Sequence, residues 1–211
     1  MRDLCDAHGV FLIADEIAVG FGRTGTRFAC EQAGIQPDLM CLSKGLTGGF
    51  LPLAAVLATQ LIYDGFLDDS RERAFLHSHS YTGNPIACAA ALRAQAIFDE
   101  DGILERNVRT SATMSSLAAE LRDLPHIADL RQAGMILAFE LTKNGDKATP
   151  FAAHSRVGLH AYRKALELGV VLRPLGDILY WMPPYCVDDE QLRLLADTTR
   201  AAILHATKDA D

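Results

Sequence analysis

The sequence predicts an α/β chain: part of a parallel sheet in residues 1–110, followed by a small α+β domain in residues 111–211. Three observations carry this. Two short apolar runs, Val10–Ala14 and Leu39–Ser43, end abruptly in polar residues, the pattern of parallel strands with functional groups at their C-terminal ends. Helical periodicity dominates residues 86–123. After Leu124-Pro125 the pattern changes to paired short strands between amphipathic helices.

Taken in order, residues 2–8 read as the end of a helix with Gly9 as its C-cap. The run Val10-Phe11-Leu12-Ile13-Ala14 reads as a buried strand ending at Asp15-Glu16. A loop with three glycines follows at Gly20-Phe21-Gly22-Arg23-Thr24-Gly25. A second buried strand over 38–43 ends at Lys44, and a third spans Leu53–Ala58. Residues 60–68 form a short helix and 69–84 a polar loop. Pro85 sits at a helix start, where its missing N–H costs nothing, and the Ala-rich segment 86–99 continues that helix. Residues 103–123 form a long amphipathic helix. Beyond it, strands are expected at 127–131, 135–141, 170–172 and 178–181, with helices at 152–168 and 188–206. Two parallel strands and one more make a poor sheet alone, so the chain is expected to begin inside a domain.

Composition narrows the function classes. With 49% hydrophobic and 22% charged residues the chain is ordinary globular protein. A net charge of -7 gives no electrostatic footprint for nucleic acid. The five cysteines are widely spaced with no CxxC pair, so neither a zinc site nor a disulfide framework is expected; they read as small buried apolar residues. No apolar run approaches a membrane span and no signal peptide opens the chain, so a cytoplasmic protein is expected.

Four features carry chemistry. Lys44, at a strand tip before Gly45, is expected to be partly desolvated, which makes its amine a usable nucleophile toward a carbonyl cofactor. Asp15 ends the neighbouring strand, so both groups face the crevice where open α/β sheets bind ligands. The segment His77-Ser78-His79-Ser80-Tyr81-Thr82-Gly83-Asn84 precedes a helix and offers hydroxyls to a phosphate; without acidic or cysteine partners its histidines do not read as a metal site. Arg173, before Pro174 and Gly176, can clamp a carboxylate in bidentate fashion. Taken singly, each reads as well as a solvated lysine, a turn cap, a surface loop and a surface ion pair.

Together these residues resemble the class III aminotransferases, which depend on pyridoxal 5'-phosphate. Leu12-Ile13-Ala14-Asp15-Glu16 through Gly25 is similar to the family's aspartate motif, and Ser43-Lys44-Gly45-Leu46-Thr47-Gly48-Gly49, with Lys44 29 residues after Asp15, to its lysine motif. Tyr81-Thr82-Gly83-Asn84-Pro85 is similar to the segment after its phosphate-contacting threonine. The resemblance covers nearly the whole chain and implies fold type I, a partial large-domain sheet followed by the small C-terminal domain. It implies that Lys44 holds the cofactor as a Schiff base and shuttles a proton, with Asp15 on the pyridine nitrogen. It further implies that His79 and Ser80 contact the phosphate across a homodimer interface and that Ser78 lies beside the substrate. Phe28-Ala29-Cys30-Glu31, Leu172-Arg173-Pro174-Leu175-Gly176 and Tyr180-Trp181-Met182-Pro183-Pro184-Tyr185 are similar to one branch, which moves an amine from S-adenosylmethionine to 8-amino-7-oxononanoate in biotin synthesis. There Arg173 takes the substrate carboxylate and Tyr180 lines the pocket. The sequence departs from the family at Ser80, which stands where threonine is usual, and at Ser78 and His79. About half of the family's chain is absent, including the glycine/serine turn that holds the phosphate and the aromatic that stacks on the cofactor ring. Another class III ω-aminotransferase, or a fragment inactive without an N-terminal half, is the alternative expectation.

Overall fold

The computed structural model describes residues 1–208 and divides into two compact units, Met1–Leu104 and Glu105–Asp211. The division expected near residue 110 falls inside α5 (Ile103–Ala119), whose first turn contains the observed one.

The first unit holds a three-stranded sheet in the order β1 (Ile13–Asp15), β2 (Leu39–Leu42), β3 (Ala55–Ala58). β1 and β2 are parallel, with Asp15 opposite Cys41; β3 is antiparallel to β2. Helix α1 (Arg2–His8) precedes the sheet, and its C-cap Gly9 has φ 62°, the left-handed conformation read from the sequence. Helices α2 (Ala29–Gln32) and α3 (Gln60–Asp64) are short. α4 (Pro85–Glu100) starts where Pro85 indicates, with Asn84 accepting from the amides of Ile86 (3.0 Å) and Ala87 (3.5 Å).

β1 departs from expectation twice. It begins at Ile13 rather than Val10, because the Leu12 amide is taken by the Asp38 side chain at 2.7 Å instead of by a strand. Nor is it buried: it forms one edge of the sheet, and Val10, Phe11 and Ile13 are all more than half exposed. An apolar run becomes a buried strand only where a neighbour covers it.

Asp38 ties α1 to the sheet. Its carboxylate accepts from Leu12 N and from Arg2 Nη1 (2.8 Å), and Arg2 also pairs with Asp6. The Leu12 amide first, then the Arg2 guanidinium, hold the Asp38 carboxyl below the usual carboxylate range. Its folded value is therefore lower than its unfolded one. The stability this provides is complete above the unfolded value and is lost as pH falls through the folded value. The protection of the Leu12 amide against exchange should fall only as pH drops below the ordinary Asp range, through the depressed folded value of Asp38. In Asp38→Asn the same amide should exchange with no such acid-dependent change.

The second unit carries a fully antiparallel sheet in the order β4 (Ile127–Ala133), β5 (Ile136–Leu141), β7 (Ile178–Trp181), β6 (Arg173–Leu175). Burial alternates along β5 and β7, so Leu137, Phe139, Leu141, Leu179 and Trp181 all point into the core. They pack with Met114 and Leu117 of α5, Leu121 in the turn after it, Val157 and Ala161 of α6 (Val157–Glu167), and Leu192 and Ile203 of α7 (Asp189–Thr207). α7 opens with a capping box between Asp188 and Gln191.

The strand expected at 170–172 lies three residues later. The Val170 amide closes the end of α6 by donating to Ala165 O (2.9 Å), so the ladder starts only at Arg173, opposite Tyr180. Pro174, which has no amide to donate, is tolerated because β6 is an edge strand. The helix expected over 152–168 starts at Val157, after a 3-10 turn at Ala153–Ser155 and a break at Arg156, whose φ is 46°.

Candidate active site

In the first unit, the parallel pairing of β1 and β2 sets Asp15 and Lys44 at the same end of the sheet. Asp15 is the last residue of β1, and Lys44 opens a 3-10 turn (Lys44–Thr47) two residues after β2 ends. Both side chains are exposed, so Lys44 is not desolvated as the apolar run before it leads one to expect. Asp15 Oδ1 accepts from the Ile17 amide at 3.0 Å, so it also caps its own turn.

The neighbouring residue, Glu16, is the buried acid here. It is 2% exposed, and its two oxygens accept from Ala29 N (3.0 Å) and Cys30 N (2.8 Å), fixing the return of the glycine loop at the start of α2. Burial pushes the Cys30 thiol up, and the adjacent Glu16 adds to the shift. The acid-acid pair Asp15-Glu16 is visible in the sequence; the division into one exposed and one buried carboxylate is not.

The loop before α4 is internally bonded. Tyr81 N donates to His79 Nδ1 (3.1 Å), Thr82 N to His79 O (3.0 Å), His79 N to Thr82 Oγ1 (3.2 Å) and Asn84 N to Tyr81 O (3.1 Å). These amides, and the helix amides taken by Asn84, are already engaged within the loop and are not left for an anion. Because His79 Nδ1 accepts, the neutral ring carries its proton on Nε2, a donor suited to a phosphate oxygen. His79 lines a cavity of about 750 Å³ together with Ser43, Leu51, Pro52, Tyr81 and Thr82. Ser78 and Ser80 are exposed on the same loop but do not line that cavity, nor do Asp15 and Lys44.

In the second unit, Arg173 and Tyr180 face one another across β6 and β7 and line a cavity of about 250 Å³ with Trp181, Met182, Pro183 and Leu195. The hairpin that carries Arg173 is seated closely on α6. Gly158 N donates to Asp177 Oδ1 (2.9 Å), and a Cβ at Gly158 would fall 2.1 Å from Gly176 O. The sequence marks Arg173 as a candidate but not the helix that supports it.

All five cysteines are free. Four are half-buried and Cys186 is exposed, so none is the fully buried apolar residue expected. Among the described residues no helix is long and apolar enough to cross a membrane.

Comparison with known proteins places this geometry. The family described as Aminotransferase class-III matches residues 1–203. The chain is similar to the adenosylmethionine-8-amino-7-oxononanoate aminotransferase of Nitratidesulfovibrio vulgaris, at 47% identity over 99% of this chain and 39% of that protein. It is similar to the protein of the same name from Geobacter sulfurreducens, at 44% identity over 96% of this chain and 45% of that one. Among solved structures, the adenosylmethionine-8-amino-7-oxononanoate aminotransferase of Methanocaldococcus jannaschii superposes with a TM-score of 0.90 at 35% identity, covering 99% of this chain and 48% of that one. A six-fold mutant of a thermostable omega transaminase from Pseudomonas jessenii superposes with a TM-score of 0.91 at 29% identity, covering 98% and 46%. The chain thus spans less than half the length of each of these relatives. It has the α/β architecture of the fold type I transaminases and belongs to the class III aminotransferases.

Proposed function

We propose that this chain carries the cofactor-lysine part of a pyridoxal 5'-phosphate aminotransferase that converts 8-amino-7-oxononanoate to 7,8-diaminononanoate. S-adenosylmethionine is the amine donor in this reading, and the setting is cytoplasmic biotin synthesis. The observation that supports it most is the juxtaposition of Asp15 and Lys44 at one end of two register-matched parallel strands.

The residues fit the cofactor. A carboxylate and an amine, both accessible, stand at the crevice end of the sheet, and the loop before α4 offers an imidazole N–H and hydroxyls. Pyridoxal phosphate, when bound, supplies an electron sink for breaking the substrate Cα–H bond. Asp15 keeps the ring nitrogen protonated. The Lys44 amine holds the cofactor and moves a proton at the substrate carbon. His79 Nε2 and the Ser80 hydroxyl donate to phosphate oxygens across a homodimer, and Ser78 lies beside the substrate. Arg173 takes the oxononanoate carboxylate through a bidentate contact, with Tyr180 opposite it.

The exposed apolar side chains of the first unit, Val10, Phe11, Ile13, Val56 and Leu57, support a second reading. In it, the chain acts only together with further polypeptide that covers them. One assay addresses both. The chain is incubated with pyridoxal phosphate, 8-amino-7-oxononanoate and S-adenosylmethionine, with and without a separately expressed N-terminal half of a relative. Diaminononanoate is measured by mass spectrometry. Product only with the added half supports the second reading, and product from the chain alone excludes it. Turnover of other carbonyl acceptors without preference for the oxononanoate favours a different ω-aminotransferase. No product under either condition overturns the biotin assignment.

A further inference from the structure

Lys44 has φ 43° and Phe21 has φ 57°, both in the left-handed region. Residues with a Cβ avoid that region unless their surroundings hold them there. The two strained residues meet at Gly45. A Cβ built on Gly45 would lie 2.7 Å from Phe21 Cδ2 and 2.8 Å from Phe21 Cβ. Gly45 itself is not left-handed, so glycine serves here for space rather than backbone freedom. Phe21 is 3% exposed, and its ring meets Phe28 edge-on at 5.6 Å, which fixes the ring from another side.

A second contact grips the same turn. Gln95 Nε2 of α4 donates to Leu46 O (3.4 Å), while Gln95 Oε1 accepts from Arg27 (3.4 Å). Arg27 also pairs with Asp99 and lies over the Phe98 ring at 5.7 Å. The turn is thus held between the glycine loop and α4.

We propose that Phe21, seated on Gly45, is a positioning residue for the Lys44 amine: it maintains the left-handed turn that sets Lys44 off the end of β2. The proposal rests on the reading of Lys44 as the cofactor lysine, and its test separates the two.

In Phe21→Ala the turn loses its seat, and the fraction with Lys44 correctly placed should fall about tenfold. The pyridoxal phosphate concentration giving half-maximal borohydride-trapped labelling of Lys44 should rise by the same factor. Amide exchange at Leu46, Gly48 and Gly49 should quicken, while the β5 amides of the second unit keep their rates. Gly45→Ala should act alike, because its methyl group displaces the ring. In the Phe21→Ala background, however, Gly45→Ala should add less than it does alone, since the ring is gone and only the Cβ of residue 21 still crowds the new methyl group. Additive effects in this cycle, or unchanged exchange and labelling in Phe21→Ala, overturn the proposal. If Phe21→Ala does not fold, Phe21→Leu is measured in its place without the cycle, and unchanged exchange and labelling in it overturn the proposal. Failure of the unaltered chain to label at Lys44 overturns the assignment of the lysine, while the exchange cycle still decides whether Phe21 holds the turn.

Discussion

Lys44→Ala should abolish site-specific trapping of pyridoxal phosphate by borohydride, leaving only scattered, low-level labelling. The chain has five lysines, Lys44, Lys143, Lys147, Lys164 and Lys208. Lys147 is engaged with Asp129 at 3.0 Å and Lys164 with Glu167 at 2.9 Å, far in sequence from any phosphate-binding or ring-binding group proposed here. Among the described residues, Lys44 is the lysine that stands at the same sheet end as the Asp15 carboxylate, the group proposed for the pyridinium nitrogen. Peptide mapping of the unaltered chain should therefore place the adduct at Lys44, and in Lys44→Ala the adduct should disappear. Lys44→Arg should behave like the alanine variant, because a guanidinium keeps the charge but is not a usable nucleophile. Where the enzyme turns over, loss of the proton-moving amine should lower the rate by about 10²–10⁴-fold. Asp15→Asn should still label at Lys44 but turn over more slowly, since the amide does not hold the ring proton. An adduct that persists in Lys44→Ala, or that maps elsewhere in the unaltered chain, rules out the assignment.

That Lys44 and Asp15 stand out in a bare sequence has a physical cause. Parallel strands run as short apolar blocks, and the residue where the block stops lies at the ligand end of the sheet. Local rules hold at Gly9, which takes the left-handed cap, and at Asn84-Pro85, which starts α4. Features that depend on a distant neighbour were not legible. Val10 and Ile13 are apolar, yet they are exposed because β1 is an edge strand. The contact of Phe21 with Gly45 joins two motifs that a linear reading treats as separate. Glu16 and Asp15 differ in role only because the start of α2 folds back onto Glu16. The start of β6 shifted from Val170 to Arg173 because the end of α6 used the Val170 amide first. In each case the deciding atom lies elsewhere in the chain, beyond what periodicity or spacing can register.

Trp181→Ala should be the most damaging single change to the second unit. Trp181 is 1% exposed and is the only tryptophan in the chain. Its ring meets Phe139 of β5 at 5.1 Å in an edge geometry, and its Nε1 donates to Thr199 Oγ1 of α7 at 2.9 Å. It therefore joins the central strands of the sheet to the last helix by both apolar packing and a buried hydrogen bond. Truncation to alanine removes the ring contacts and leaves a cavity, at a cost of about 3–5 kcal/mol. Thr199 keeps its bond to Leu195 O (2.7 Å), so its hydroxyl is not left wholly unsatisfied. Trp181→Phe retains most of the packing but loses the N–H, so it should cost less, on the order of 1–2 kcal/mol. Urea denaturation followed by far-UV circular dichroism measures both, and the fluorescence of the unaltered chain reports this unit alone, since its one tryptophan lies here. The consequence reaches the face of the sheet that carries Arg173. Alternation along β7 puts Trp181 in the core and its neighbour Tyr180 on the opposite face, paired with Arg173. A collapse of the cavity left by Trp181→Ala should tilt β7 and displace that pair. Weakened binding of carboxylate-bearing substrate in Trp181→Ala but not in Trp181→Phe would show that the core sets the geometry of Arg173. Equal losses of stability in the two variants would instead locate the contribution of Trp181 in its bond to Thr199 rather than in its ring.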